Sequence, residues 1–136
     1  MSSLERIGEV IEWYKVLPED YLDINAIMFK RKELATLLYY MAVEVGDARR
    51  AWKISSGQYE MEKNRWRRKM EYKGTTKADW YARANCKDQL DSSIENESVY
   101  YSMYYVLTSM KEVLSEMNQR VAHLREEMKN SNYLNG

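Results

Sequence analysis

Apolar residues recur at alternating steps of four and three along Leu34, Leu38, Met41, Val45, Ala48, Trp52, Ser55, Tyr59, Glu62 and Trp66. Only Ser55 and Glu62 interrupt the pattern. Such spacing over several heptads is the signature of a helix that buries one seam against another helix. A strand would need strict alternation, which is absent. Tyr100, Met103, Leu107, Met110, Leu114, Met117, Val121 and Leu124 repeat the same spacing. Leu90 and Ile94 extend this second seam after a shift near Glu95 and Glu97. One Pro and five Gly among 136 residues leave too few turn formers for a many-stranded fold. The fold class expected is all-α: an elongated, coiled-coil-like antiparallel helical hairpin with a short N-terminal helix, in a single domain over 1–136.

Boundary signals divide the chain further. Ser2 with Glu5 reads as a capping box for a helix over about 3–16, marked by Ile7, Ile11 and Tyr14. Pro18 ends it, because the residue before a proline avoids the α region. Asp23 is a plausible N-cap for a long helix over 24–73. Its weak point is Ser55-Ser56-Gly57, since a mid-helix Gly costs ~1 kcal/mol relative to Ala. The seam stays in phase across that point, which predicts one continuous helix. Gly74 is placed to end it in the left-handed conformation. Thr76 with Asp79 reads as a second capping box, opening a helix over 76–129. Residues 130–136 are expected to fray.

Two helices bury one stripe each, yet apolar mass surrounds both. Tyr100, Tyr101, Tyr104 and Tyr105 place it on nearly every side of the second helix, and Tyr39 and Tyr40 do so on the first. A helix apolar all round is buried from more than one direction. The N-terminal helix folds back over this zone, copies of the chain pack there as a homo-oligomer, or both. A small chain with so slender a fold has little core of its own, which favours the oligomer.

The sequence offers little for catalysis. One Cys and one His cannot form a metal set. His123 has Arg120, not Glu, three residues before it, so a di-metal bundle is set aside. Cys86 lies near Arg83 and Lys87, which would lower a thiol pKa, but no base is placed beside it, and a core-edge role is favoured. Asn96-Glu97-Ser98 is a chance sequon in a helix. No enzyme activity, cofactor or metal is expected. The lone Cys also argues for a reducing, cytoplasmic compartment. No apolar run approaches a membrane span, and residues 1–10, with Glu5, Arg6 and Glu9, lack the apolar core of a secretory signal.

Lys+Arg and Asp+Glu are both 21, so the net charge is zero, but the charges are segregated. Residues 1–29 hold six acids against two bases, and residues 88–136 hold eight against four. Residues 63–87 hold nine bases against two acids. Lys63, Arg65, Arg67, Arg68, Lys69, Tyr72, Lys73, Lys77, Trp80, Tyr81, Arg83 and Lys87 would all gather at the hairpin tip. Clustered cations neutralise phosphates, and interleaved aromatic rings stack single-stranded bases. Against this, the arginines would serve equally as a solvated face, and Trp66 lies on the seam as a core residue.

In layout the chain resembles the phage UvsY family: a short helix, a long basic helix, a turn, and a second long helix. The resemblance spans Asp23 to Lys129 and rests on Lys63–Lys73, the Tyr72/Gly74 turn, Thr76-Lys77-Ala78-Asp79, Asp91, Leu114 through Arg120, and Arg125. It implies a small oligomeric recombination mediator whose basic tip contacts single-stranded DNA. Its protein partners would be a RecA-like recombinase and the single-strand-binding protein. Two rivals stand beside it: a phage module that inhibits a host nuclease or other host defence protein, and a structural coiled-coil scaffold.

Overall fold

The computed structural model describes the backbone of residues 2–135 and the side chains of residues 2–131. It is all-α: α1 (Ser3–Lys15), α2 (Ile24–Lys69), α3 (Thr75–Asn85) and α4 (Lys87–Asn135), with a 3-10 turn at Glu71–Lys73. No strand occurs among the described residues, and α2 packs against α4 as a helical hairpin. No helix is long and apolar enough to cross a membrane. The chain divides into two compact units, Met1–Ala42 with Tyr105–Gly136, and Val43–Tyr104.

The first unit is a three-helix packing of α1, the start of α2 and the end of α4. The Ser2/Glu5 capping box is formed: the Glu5 N–H donates to Ser2 Oγ (3.2 Å) and the Ser2 N–H to Glu5 Oε2 (3.3 Å). Asp23 caps α2, its Oδ1 accepting from the Ala26 N–H at 3.0 Å. Ile7, Val10 and Tyr14 of α1 are buried with Ile27, Leu34 and Met41 of α2 and Leu107, Met110, Val113, Met117, Val121 and Leu124 of α4. Polar ties fix α1 and its exit. Arg6 pairs with Glu33, and Arg120 donates to the Pro18 carbonyl at 2.5 Å and sits 5.9 Å from the centre of the Tyr14 ring. Beside Glu33, the Arg6 guanidinium has its pKa raised, by the hydrogen bond first and the carboxylate's charge second. These ties place α1 over the Lys30–Glu33 turn and Arg120. They do not place it over the tyrosines, and Tyr39, Tyr40 and Tyr105 remain exposed.

The second unit is built from smaller residues. Its buried set is Val45, Ser55, Ala78, Ala82, Cys86 and Ser93. Ser55, a break in the apolar seam, is buried: its Oγ donates to the Trp52 carbonyl (3.0 Å) and accepts from Asn96 Nδ2 (3.1 Å). A buried hydroxyl is tolerated when both its capacities are used. Trp52 stacks on Tyr100, with ring centres 5.4 Å apart and an interplanar angle of 23°. The helix runs unbroken through Ser55-Ser56-Gly57, as the in-phase seam predicts.

Several boundaries differ from the sequence reading. The long helix expected over 24–73 ends at Lys69, and a 3-10 turn carries the chain to Gly74. Gly74 adopts φ 93° and ψ 156°. That region is open only to glycine but is not the left-handed helical one. The helix expected over 76–129 is two helices, interrupted at Cys86 (φ −114°, ψ 19°). The Thr76/Asp79 capping box does not form. Gly74 is the N-cap, no side chain caps α3, and Asp79 turns to Arg67 instead. Leu90 and Ile94 are exposed rather than on the seam; Ser93 and Asn96 take the inward positions. The last helix extends beyond the expected end at residue 129, to Asn135. Gly136 lies outside the described residues.

Candidate nucleic-acid interface

All twelve tip residues singled out in the sequence belong to the second unit, on the last turns of α2, the 3-10 turn, α3 and the first residue of α4. The structure sorts them into partnered and unpartnered cations. Lys63 Nζ lies 3.1 Å from Glu60 and 5.0 Å from the centre of the Tyr59 ring. Arg65 lies 3.5 Å from Glu62. Arg67 Nε is 2.5 Å from Asp79 Oδ1, an ion pair joining α2 to α3, although the Nε–H is not aligned for a hydrogen bond. Arg68, Lys69, Lys73, Lys77, Arg83 and Lys87 have no acidic partner among the described residues. Their charge is therefore uncompensated at short range and free to meet an anion.

The aromatic residues are sorted in the same way. Trp66 is half-buried on the seam and carries Lys69 Nζ 4.8 Å from its ring centre. Tyr72 is 78% exposed and Trp80 65% exposed, large values for rings of this size. Trp80 meets Tyr81 edge-on, at 5.1 Å and 82°. Lys73 Nζ stands 4.9 Å from the Tyr81 ring centre and 5.8 Å from that of Tyr72.

Two grooves result. One, of about 440 Å³, is lined by Asn64, Arg67, Arg68 and Glu71 from the end of α2 and the turn, with Thr75 and Asp79 from α3. The other, of about 590 Å³, is lined by Lys73, Thr76, Lys77, Trp80 and Tyr81. Alanines explain this geometry. Ala78 and Ala82 turn the buried face of α3 inward, and the opposite positions, Trp80 and Lys77, then point to solvent.

Cys86 is fully buried, and burial first, then the charge of Glu62, pushes its thiol pKa up. The lowering expected from Arg83 and Lys87 does not occur; both side chains lie on the exposed surface while the thiol faces inward. Among the described residues no three His, Cys, Asp or Glu side chains gather as a metal site. His123 is exposed and 3.0 Å from Glu127 in the first unit. The Asp79–Arg67 pair and the Gly74 conformation were missed in the sequence. The glycine was visible there, but its ψ was not.

No family model, curated protein or solved structure matches the chain.

Proposed function

We propose that the protein binds single-stranded nucleic acid through the tip of its second unit, without catalysis, and self-associates in the cytoplasm. In this reading it serves as a phage-type recombination or replication accessory. One observation carries the reading. Six cations without acidic partners crowd one short stretch of chain beside two strongly exposed rings, Tyr72 and Trp80. Unpaired Lys and Arg release counterions from phosphates, and exposed rings give bases a stacking surface. Self-association draws support from Tyr39 and Tyr40, 69% and 57% exposed, and from Tyr105, at 65%. Exposed apolar surface of this kind marks interaction sites.

The test is fluorescence anisotropy with a labelled single-stranded oligonucleotide. Binding is expected at low salt and is expected to weaken steeply as salt rises. Absence of binding at ~50 mM salt with tens of micromolar protein removes the reading. The module that docks its basic tip on an acidic host protein would then take its place.

A further inference from the structure

An apolar cleft of about 260 Å³ lies in the first unit, lined by Leu22 from the segment between α1 and α2 and by Leu124, Glu127, Met128 and Ser131 from α4. Leu22 and Met128 are 70% and 56% exposed, so the cleft opens to solvent. Its surroundings are acidic. Glu127 belongs to the lining, and Leu22 lies between Glu19-Asp20 and Asp23 along the chain. Glu19, Asp20 and Asp23 are exposed and have no basic partner among the described residues. No Lys or Arg of the described residues lines the cleft. At about 100° per residue, Arg125 and Lys129 project well away from the face of α4 that carries Leu124, Glu127 and Met128. Arg120, one turn before Leu124, is tied to the Pro18 carbonyl.

The tip carries the complement. Lys77, Trp80 and Arg83 recur every third residue on the exposed side of α3, opposite the buried Ala78 and Ala82. An indole 65% exposed thus stands between two cations that lack acidic partners. An apolar cavity of ~150 Å³ holds a benzene ring. One of about 260 Å³ has room for the larger indole. We propose that Trp80 of one copy inserts into the Leu22/Leu124/Met128 cleft of a second copy, with Lys77 and Arg83 set against the acidic rim. The contact is head-to-tail, joining two different patches of the same chain. A second copy is the occupant because both halves of the match, ring to apolar cleft and cations to acids, are present on this one sequence. This contact rests on the self-association reading and gives it a geometry. Buried aromatic anchors carry most of the energy of such interfaces, and the charges around them set partner choice and salt dependence. The ring is the one that the nucleic-acid reading offers to a base, so head-to-tail assembly and strand binding exclude each other at Trp80.

The test is sedimentation velocity on the full chain at ~50 mM salt, where attraction between exposed charges is only partly screened. Two variants at exposed positions are compared with unmodified protein. Trp80→Ala lacks the ring, and Leu22→Lys sets a like charge before Lys77 and Arg83. Each should lower the apparent association constant about tenfold. An equimolar mixture of the two should recover much of the loss, because the intact ring of the Leu22→Lys copy fits the intact cleft of the Trp80→Ala copy. A contact between two like patches gives no such recovery. Met128→Lys should repeat the Leu22→Lys result from α4, and circular dichroism should show unchanged helicity in all three. Variants that assemble as unmodified protein does, or a mixture that recovers nothing, overturn the head-to-tail contact and leave self-association standing. Loss of assembly in Leu22→Lys but not in Trp80→Ala means that another segment of the second copy fills the cleft, and overturns the assignment to Trp80. A monomer at every concentration overturns both the contact and self-association.

Discussion

Asp79 restrains the tip it belongs to. Its carboxylate lies 2.5 Å from Arg67 Nε, with both side chains about two-fifths exposed. Replacing it with Asn removes one negative charge and releases one guanidinium, while the shape of α3 stays the same. Unmodified protein offers up to six cations without acidic partners, so the slope of log affinity against log salt should reach at most about −4, at ~0.7 per phosphate neutralised on a single strand. Between ~50 and ~200 mM salt that is a loss of about 300-fold. Asp79→Asn should steepen the slope by about 0.7 and tighten binding at low salt. Arg68→Ala should flatten it by the same amount, to a loss of about 100-fold over that range. Arg67→Ala should weaken binding without flattening the slope, because Arg67 is already neutralised by Asp79. Anisotropy titrations at four or five salt concentrations measure all of these. A slope shallower than about −1 in unmodified protein, or identical slopes in Asp79→Asn and Arg68→Ala, would refute the division into partnered and unpartnered cations.

Truncating Leu34 or Met117 to Ala, both fully buried in the first unit, should cost about 2–5 kcal/mol in chemical denaturation. The Cys86 thiol should resist a neutral-pH thiol reagent until the protein is unfolded; fast labelling of native protein would contradict its burial. Its folded pKa is raised, so the unfolded chain loses this proton first. Cys86 should therefore lower stability as pH rises through the usual thiol range near 8.5, a decline that Cys86→Ala lacks in parallel urea titrations. Gly74→Ala should destabilise by about 1–3 kcal/mol even though no atom lies near the added methyl, because the strain is in the backbone. Light scattering should give a mass above 16.3 kDa at micromolar concentration, and a monomer would end the self-association proposal.

The all-α fold was legible because a long run of heptad spacing has only one physical meaning. The seams from Leu34 to Met41 and from Leu107 to Leu124 bury large side chains in the first unit, where hydrophobic periodicity is strong. The reading failed where burial stops being hydrophobic. In the second unit the inward positions of α4 are Ser93 and the half-buried Asn96, held by Ser55, while the bulkier Leu90 and Ile94 face outward. A rule that places the largest apolar residue inside selects the wrong face there. The break at Cys86 was hidden for a related reason. Neither Gly nor Pro marks it, and Ala78, Ala82 and Cys86, the residues leading to it, are all nearly or fully buried.

The position of the basic cluster was equally plain in the sequence, but the division of labour inside it was not. Arg67 and Arg68 are neighbours with the same chemistry, and along a chain they are interchangeable. On a helix they point about 100° apart. That rotation brings Arg67 to Asp79 on α3 and leaves Arg68 without an acidic partner. The same geometry separates Trp80 from Tyr81: one ring is exposed, and the other carries Lys73 over its face. Charge counting treats all nine bases of residues 63–87 alike. The fold removes three of them through Glu60, Glu62 and Asp79, and the six that remain share one stretch of chain with two strongly exposed rings, Tyr72 and Trp80. A solvated helix face would gain stability from distributing acids among its bases at i,i+4 positions. From Lys63 to Lys87 the only acids are Glu71 and Asp79. That composition forgoes local stabilisation along this stretch of chain, as the proposed contact with nucleic-acid phosphates requires.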